Sequence, residues 1–209
     1  MNLFDINNIA ITILNYPISY IELIGTLFGF ISVYLASQAN ILTWGTGIIN
    51  EFFLFIMFFQ IQLYADMFLQ VYFFAVTLYG WHTWKKKPKK NSITSISLKA
   101  KGWIIGTIIT GTLLAGFLFS NIHLYLPNYF TIKASYPYID SFVMVLSIFA
   151  TVLLAQKKLE TWYLWILVDV ICVFLFFQKG VVFLAMEYLI FLGMAVNGLL
   201  NWKKQMSND

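Results

Sequence analysis

Seven stretches of about 20 mostly apolar residues dominate this chain of 209 residues. They cover residues 18–37, 41–61, 64–84, 102–121, 137–155, 160–178 and 181–202. An α-helix needs about 20 residues to cross the hydrocarbon core of a bilayer. Of all residues, 60% are hydrophobic and 11% are charged, whereas soluble domains have about 45–50% and about 25%. The sequence therefore predicts an all-α integral membrane protein with seven transmembrane helices.

Lysine decides the predicted orientation, because the chain contains no arginine. Eleven lysines fall on one side of the seven-span arrangement, and only Lys133 and Lys179 fall on the other. Cytoplasmic loops carry an excess of basic residues. We therefore predict a bacterial inner-membrane protein with its N-terminus outside and its C-terminus in the cytoplasm. The basic rim can attract anionic lipid headgroups and gives no reason to expect nucleic acid as a partner.

A direct repeat relates the first three predicted helices to the last three at a shift of 118 residues. The shift pairs Gln38 with Gln156, Trp44 with Trp162, Glu51 with Asp169, Gly80 with Gly198, and "WKK" at 84–86 with "WKK" at 202–204. Three is an odd number, so a directly repeated triple keeps its direction only if one extra span lies between the copies. The sequence thus predicts a 3+1+3 fold, in which an inverting fourth helix joins two parallel three-helix repeats.

Three parts follow from this organisation. Residues 18–84 form the first repeat, residues 85–136 hold a basic cytoplasmic loop, the linker helix and an external loop, and residues 137–204 form the second repeat. Transporters built from such parallel repeats bind their substrate between the halves, near the midplane of the bilayer.

Two tryptophans and a carboxylate mark the sixth predicted helix. Trp162, Trp165 and Asp169 are three and four residues apart, so they share one helix face. A charged side chain at the bilayer centre costs at least about 2.5–3.5 kcal/mol and therefore indicates function. Indoles beside a carboxylate suit a flat cationic ring. The alternatives are a protonated Asp169 or Glu51 that hydrogen-bonds between the repeats, and an interfacial belt role for Trp162.

The remaining polar groups at membrane depth complete the predicted acidic and aromatic site. They are Asn50, Glu51, Gln70, Glu187, Tyr188 and Asn197. No lysine is predicted deeper than the ends of the spans, so a cationic substrate would be the partner of the buried carboxylates.

Other classes of function fit the sequence poorly. An intramembrane enzyme needs converging catalytic groups or metal ligands, but His82 and His123 have no carboxylate or thiol at ligand spacing. Cys172 is the single cysteine and can form neither a disulfide nor a paired-cysteine metal site. We therefore expect no metal and no cofactor. An accessory membrane protein without a substrate would leave the acidic midplane unexplained.

Several segments resemble the PnuC family of vitamin transporters. They are "YIELIGTLFGFISVYLASQ", "GIIN", "FFQIQLYADMFLQVYFFAVTLYGWHTW", "DSFVMVLSI", "WYLWILVDVI" and "MEYLIFLGMAVNG", within residues 20–84 and 138–202. The resemblance implies a 3+1+3 fold related to the SWEET sugar transporters, uptake of nicotinamide riboside by facilitated diffusion, and a homotrimer. It also implies that the W-x-x-W motif at Trp162 and Trp165 flanks the pyridine ring. The family's polar contacts fall on Asn50, Gln60, Gln70 and Asn197.

Thiamine is the alternative substrate that the resemblance leaves open. Other members of the family carry it, and Asp169 or Glu51 would suit its cationic ring equally well.

Overall fold

Seven α-helices follow a short β-hairpin along the chain. The computed structural model describes residues 3–13, 15–61, 64–86, 93–126, 135–178 and 180–208. The hairpin consists of β1 (Ile9–Ile13) and β2 (Tyr16–Ser19). The helices are α1 (Tyr20–Ser37), α2 (Leu42–Gln60), α3 (Tyr64–Lys86), α4 (Leu98–Tyr125), α5 (Pro137–Ala155), α6 (Glu160–Gln178) and α7 (Val182–Asn208).

The hairpin is absent from the all-α prediction, which begins the first helix at residue 18. The two strands pair antiparallel, with Ile13 opposite Tyr16. Asn15 lies in their connection at a φ of 62°, a left-handed conformation that asparagine tolerates. Ser19 then caps α1, since its Oγ accepts a hydrogen bond of 3.3 Å from the Glu22 backbone amide. The helix therefore begins two residues later than predicted.

The seven predicted helices are confirmed, and their ends lie within four residues of the predicted ends except that of α7, which continues six residues further to Asn208. Six of them are long and apolar enough to cross a membrane. Helix α3 is not among these six, because its described sequence is less apolar and ends in the polar stretch from Gly80 to Lys86.

One end of the bundle carries the lysines, and we call it the lysine-rich end. It is formed by the last turns of α1, α3, α5 and α7 and the first turns of α2, α4 and α6. Contacts between these turns hold it together, such as the indole of Trp84 against the Ala155 carbonyl. The described lysines at this end are Lys85, Lys86, Lys99, Lys101, Lys157, Lys158, Lys203 and Lys204.

The 118-residue shift also relates the helix bounds and the turns. It carries Leu42–Gln60 onto Glu160–Gln178, with no offset at either end. After α1 and after α5, the chain reverses through a left-handed residue at equivalent positions, Ala39 with φ 52° and Lys157 with φ 53°. In each half a threonine hydroxyl of the next helix then bonds back to the preceding helix: Thr43 to Ser32 O, and Thr161 to Ala150 O.

The two halves meet along two helix pairs, α1 with α7 and α3 with α5. The same shift exchanges these pairs, because it relates α1 to α5 and α3 to α7. The linker helix α4 packs on α5, where Ile108 joins a buried cluster with Val145, Leu146, Val168 and Cys172. A second cluster fills the lysine-rich end and contains four tryptophans.

Candidate functional site

Trp162 lies within the tryptophan cluster of the lysine-rich end. Its side chain is 1% exposed and meets Trp202 edge-on, with ring centroids 5.5 Å apart. Gly198 faces it so closely that a Cβ there would come within 2.6 Å of the indole. The Trp162 Nε1 is buried and has no hydrogen-bond partner among the described residues. In this structure the indole is therefore packed against other side chains of the described chain and is shielded from solvent.

Trp165, one turn further along α6, is only partly buried. It packs against both hydrophobic clusters, the one at the lysine-rich end and the one between α4, α5 and α6. It therefore lies between the tryptophan cluster and the cluster of α4, α5 and α6, one turn from Asp169 along the same helix.

Asp169, one further turn along, is 4% exposed. Tyr188 of α7 lies within electrostatic range of its carboxyl group and within hydrogen-bonding reach of Cys172. The Tyr188 ring stacks on Phe176, with centroids 5.4 Å apart and planes inclined by 10°. Two predicted site residues, Asp169 and Tyr188, are thus brought together between α6 and α7.

Glu51, the repeat counterpart of Asp169, lies between α2 and α3. Its Oε1 accepts a 2.5 Å hydrogen bond from Thr77 Oγ1. Its Oε2 is buried without a hydrogen-bond partner in the described chain. Buried polar oxygens are almost always hydrogen-bonded. This unpartnered oxygen is therefore unusual, and it can accept a hydrogen bond from a bound molecule.

A cavity of about 400 Å³ adjoins Glu51 between α2 and α3. Gln70 also lines it and is buried, which brings a second predicted site residue to Glu51. The other walls are apolar and include Phe53 and Phe55. Almost all of the surface that faces the cavity is nevertheless apolar, and Phe52, Val71 and Phe74 in its wall are exposed, so the cavity opens to the outside of α2 and α3.

Asn50 fixes the contact between α1 and α2. Its Nδ2 donates a 2.8 Å hydrogen bond to the carbonyl of Gly25, and it lies 3.0 Å from the position that a Cβ of Gly29 would take. Phe191 of α7 approaches the same glycine at 3.7 Å. Asn50 therefore lies where the two halves of the chain meet.

Glu187 lies nearer the opposite end, next to the hairpin. Its carboxyl group is within hydrogen-bonding reach of Thr26 on α1 and near the charge of Glu22. The Tyr16 hydroxyl donates a 2.9 Å hydrogen bond to Glu22, and the Tyr16 ring stacks on Phe183 of α7. Burial, then the neighbouring Glu22 charge, raises the pKa of Tyr16 to about 12, so the phenol stays a neutral donor.

Two predicted site residues are not brought to the others. The side chain of Gln60 binds the chain preceding the hairpin, accepting from the Ile6 amide at 3.1 Å and donating to the Phe4 carbonyl at 2.5 Å. Gln60 is nine residues beyond Glu51, about 13.5 Å along the helix axis. Asn197 is exposed on α7, where its Oδ1 accepts a 2.7 Å hydrogen bond from Asn201.

Sequence reasoning missed three side chains that hold this region together. Thr77 binds Glu51, and Trp84 and Trp202 hydrogen-bond across the two halves. The signal for the two tryptophans was present, because the repeat aligns them in the "WKK" motifs. Within the described ranges, no group of three or more histidine, cysteine or acidic side chains could hold a metal ion.

Comparison of the sequence with known families and proteins finds transporters in each case. A family profile described as nicotinamide mononucleotide transporter matches residues 19–204. The chain is 33% identical over 225 aligned residues to the nicotinamide riboside transporter PnuC of Escherichia coli (strain K12), covering 97% of this chain and 94% of that protein. It is 25% identical to the riboflavin/roseoflavin transporter RibM of Streptomyces davaonensis, covering 98% and 94% of the two chains.

The fold also resembles a solved structure, the crystal structure of the vitamin B3 transporter PnuC. The TM-score is 0.66 at 20% sequence identity, covering 88% of this chain and 81% of that chain. At 20% sequence identity, this similarity supports a shared fold and nothing more.

Proposed function

Since the chain belongs to the nicotinamide mononucleotide transporter family, we propose that it carries nicotinamide riboside across the membrane by facilitated diffusion. The observation that carries this proposal is the near full-length similarity to a nicotinamide riboside transporter. The buried carboxylates agree with it, because nicotinamide riboside has a cationic pyridinium ring and no described lysine lies deeper than the ends of the helices. The family is one of transporters and not of enzymes.

We propose that the substrate binds between α2, α3, α6 and α7. Trp165 would stack on the pyridinium ring, and Asp169 would pair with its charge. Glu51 and Gln70, which lie between α2 and α3, would offer the substrate hydrogen bonds, and Asn50, Glu187 and Tyr188 would complete the site from the neighbouring helix contacts. Gln60 and Asn197 remain predicted contacts, whose described partners are the N-terminal segment and Asn201.

The 3+1+3 arrangement of seven spans is part of the proposal. The helix bounds, the two left-handed turns and the exchanged interfaces α1–α7 and α3–α5 support it. The predicted division at residues 18–84, 85–136 and 137–204 follows from the same repeat. A pair of parallel repeats can rock about the interface between them, which gives alternating access to a central site.

The orientation and the assembly are also proposed. The lysine-rich end would face the cytoplasm, because basic residues are retained there. The trimer implied by the resemblance would need a packing surface on the outside of the bundle.

The test is a binding titration of the purified protein against nicotinamide riboside, thiamine and riboflavin. We expect saturable binding of nicotinamide riboside, with a rise in the unfolding temperature that depends on its concentration. Thiamine is the second candidate because its ring is also cationic. Binding of thiamine or riboflavin without binding of nicotinamide riboside would overturn the proposed substrate while leaving the transporter class intact.

A further inference from the structure

Four indoles close the lysine-rich end of the bundle. Trp44, Trp84, Trp202 and Trp162 form a continuous row, in which neighbouring ring centroids are 5.2, 6.4 and 5.5 Å apart. All four side chains are 4% exposed or less. Trp44 and Trp84 come from the first half of the chain, and Trp162 and Trp202 from the second, so the row crosses the interface between the halves.

Two hydrogen bonds in this row join the halves. Trp84 Nε1 donates to the Ala155 carbonyl at 3.1 Å, at the end of α5. Trp202 Nε1 donates to the Ala36 carbonyl at 3.0 Å, at the end of α1. The 118-residue shift relates the two tryptophans, and each reaches the other half. These bonds must break if the halves separate at this end.

The other two indoles, Trp44 and Trp162, lie within their own halves and donate no hydrogen bond to the described residues of the other half. Trp44 packs against Gly80 and Trp162 against Gly198, each too closely for a side chain at the glycine. The Nε1 atoms of Trp44 and Trp162 are both buried without hydrogen-bond partners in the described part of the chain. A buried donor without a hydrogen-bond partner raises the free energy of the closed state, and a hydrogen bond to water would remove this cost.

We propose that Trp44, Trp84, Trp162 and Trp202 form the gate at the lysine-rich end, through which the substrate enters or leaves. The crossing bonds of Trp84 and Trp202 favour the closed state, and the unsatisfied donors of Trp44 and Trp162 favour the open one. Opposed contributions of this kind keep two conformations close in free energy, as a carrier requires. The proposal rests on the transport function and adds that Trp162 acts in the gate.

The gate can be tested by the reactivity of a cysteine placed behind it. Ala195 is 1% exposed and belongs to the same cluster, so Ala195→Cys in a Cys172→Ser background gives a buried reporter. The rate of labelling by a membrane-impermeant maleimide, added at the lysine-rich end of reconstituted protein, measures how often the gate opens. No substrate is needed.

The two kinds of tryptophan should respond in opposite directions. Trp84→Phe combined with Trp202→Phe keeps an aromatic ring at each position and removes both crossing indole donors, while the bond from Thr83 Oγ1 to the Ala155 carbonyl remains. We expect labelling to accelerate roughly 10-fold. Trp44→Phe removes an unsatisfied donor and should slow labelling. Tyr72→Phe is the matched control, because it also removes a bond between the halves, to the Ile148 carbonyl, but one three turns further from the lysine-rich end.

Unchanged labelling in the folded double variant, or an equal acceleration in Tyr72→Phe, would overturn the proposal. A cross-link keeps the proposal testable if the double variant fails to fold. Thr83 Oγ1 lies 3.0 Å from the Ala155 carbonyl, so Thr83→Cys and Ala155→Cys can be joined by a short reducible linker. We expect the linked protein to bind nicotinamide riboside but not to transport it until the linker is reduced.

Transport at the parent rate by the linked protein would contradict the gate. If the parent protein does not transport nicotinamide riboside, the proposed substrate is wrong, and the labelling rates still decide whether the tryptophans form a gate.

Discussion

Trp162 and Gly198 are in such close contact that any side chain at residue 198 would collide with the indole. A Cβ would lie 2.6 Å from Cε2 and Cζ2 of the ring, whereas ordinary carbon contacts are about 3.5–4.0 Å. The pair joins α6 to α7, and the repeat reproduces it in the first half with Trp44 and Gly80. Each glycine therefore sets how deeply a tryptophan packs at the lysine-rich end.

We expect Gly198→Ala to destabilise the protein by about 1–3 kcal/mol, because the indole must move to admit the methyl group. The measurement is the thermal unfolding midpoint in detergent. Gly193→Ala is the control on the same helix, since nothing lies within 4 Å of its Cβ position, and its midpoint should be unchanged or slightly raised. Equal midpoints for the two variants would contradict this packing.

The carboxylate of Glu160 holds the segment before α4 against the start of α6. It accepts hydrogen bonds from Ser95 Oγ and, at 3.1 Å, from the Ile96 amide, and it pairs with Lys101 Nζ at 2.9 Å. We expect Glu160→Ala to cost about 1–3 kcal/mol, because two partly buried hydrogen bonds to a charged acceptor are lost. Lys101→Ala should cost only about 0–1 kcal/mol, since the lysine is 42% exposed.

Chemical unfolding of both variants measures this difference. A loss for Lys101→Ala as large as that for Glu160→Ala would mean that the ion pair, and not the two hydrogen bonds, fixes the segment.

If Trp165 stacks on the substrate ring, Trp165→Ala should weaken binding of nicotinamide riboside by about 1–2 kcal/mol, which is roughly 5- to 30-fold in Kd. Isothermal titration with the purified variant measures this change. Trp103→Ala is the matched control, because Trp103 is 79% exposed on α4 and should leave the affinity unchanged. An unaltered affinity in a folded Trp165→Ala protein would assign the indole to packing.

Asp169→Asn tests whether the buried carboxylate pairs with a cation. The amide keeps the shape and an acceptor but removes the charge, so we expect the affinity for nicotinamide riboside to fall about 10-fold or more. The uncharged dihydropyridine form of the riboside, which has nearly the same size, should bind the variant and the parent alike. The same measurement on Glu51→Gln shows which of the two repeat-related carboxylates bears the interaction.

Equal affinities of Asp169→Asn and the parent for nicotinamide riboside at neutral pH would contradict charge pairing. The carboxyl group would then be a protonated hydrogen-bonding group between helices.

The lysine distribution predicts where the chain ends lie. A reporter fused after Lys204 should be found in the cytoplasm, and one fused before Tyr20 outside the cell. Paired activity reporters, one active only in the cytoplasm and one only outside it, measure both positions. Finding both ends on one side would contradict an odd number of spans.

The helices and their repeat could be predicted from the amino-acid sequence alone. An apolar run in a bilayer must satisfy its backbone hydrogen bonds internally, so runs of about 20 residues become helices with ends near those of the runs. The pairing of Trp44 with Trp162 and of Gly80 with Gly198 was readable for a similar reason, because tryptophan and glycine are rare enough in an apolar chain to reveal a shift. The turns at Ala39 and Lys157 repeat that shift in three dimensions.

Which side chains contact one another could not be predicted from the sequence and is seen in the packed bundle. These helices are apolar around most of their circumference, so the sequence gives little indication of the face that each turns inward. Asn197 and Glu187 were equal candidates on α7, yet Asn197 is exposed and Glu187 reaches Thr26. Gln60 binds a segment that precedes the first helix, and Trp84 and Trp202 cross between the halves. Each of these contacts depends on the rotation and depth of a helix against its neighbours, which the packing of the whole bundle fixes.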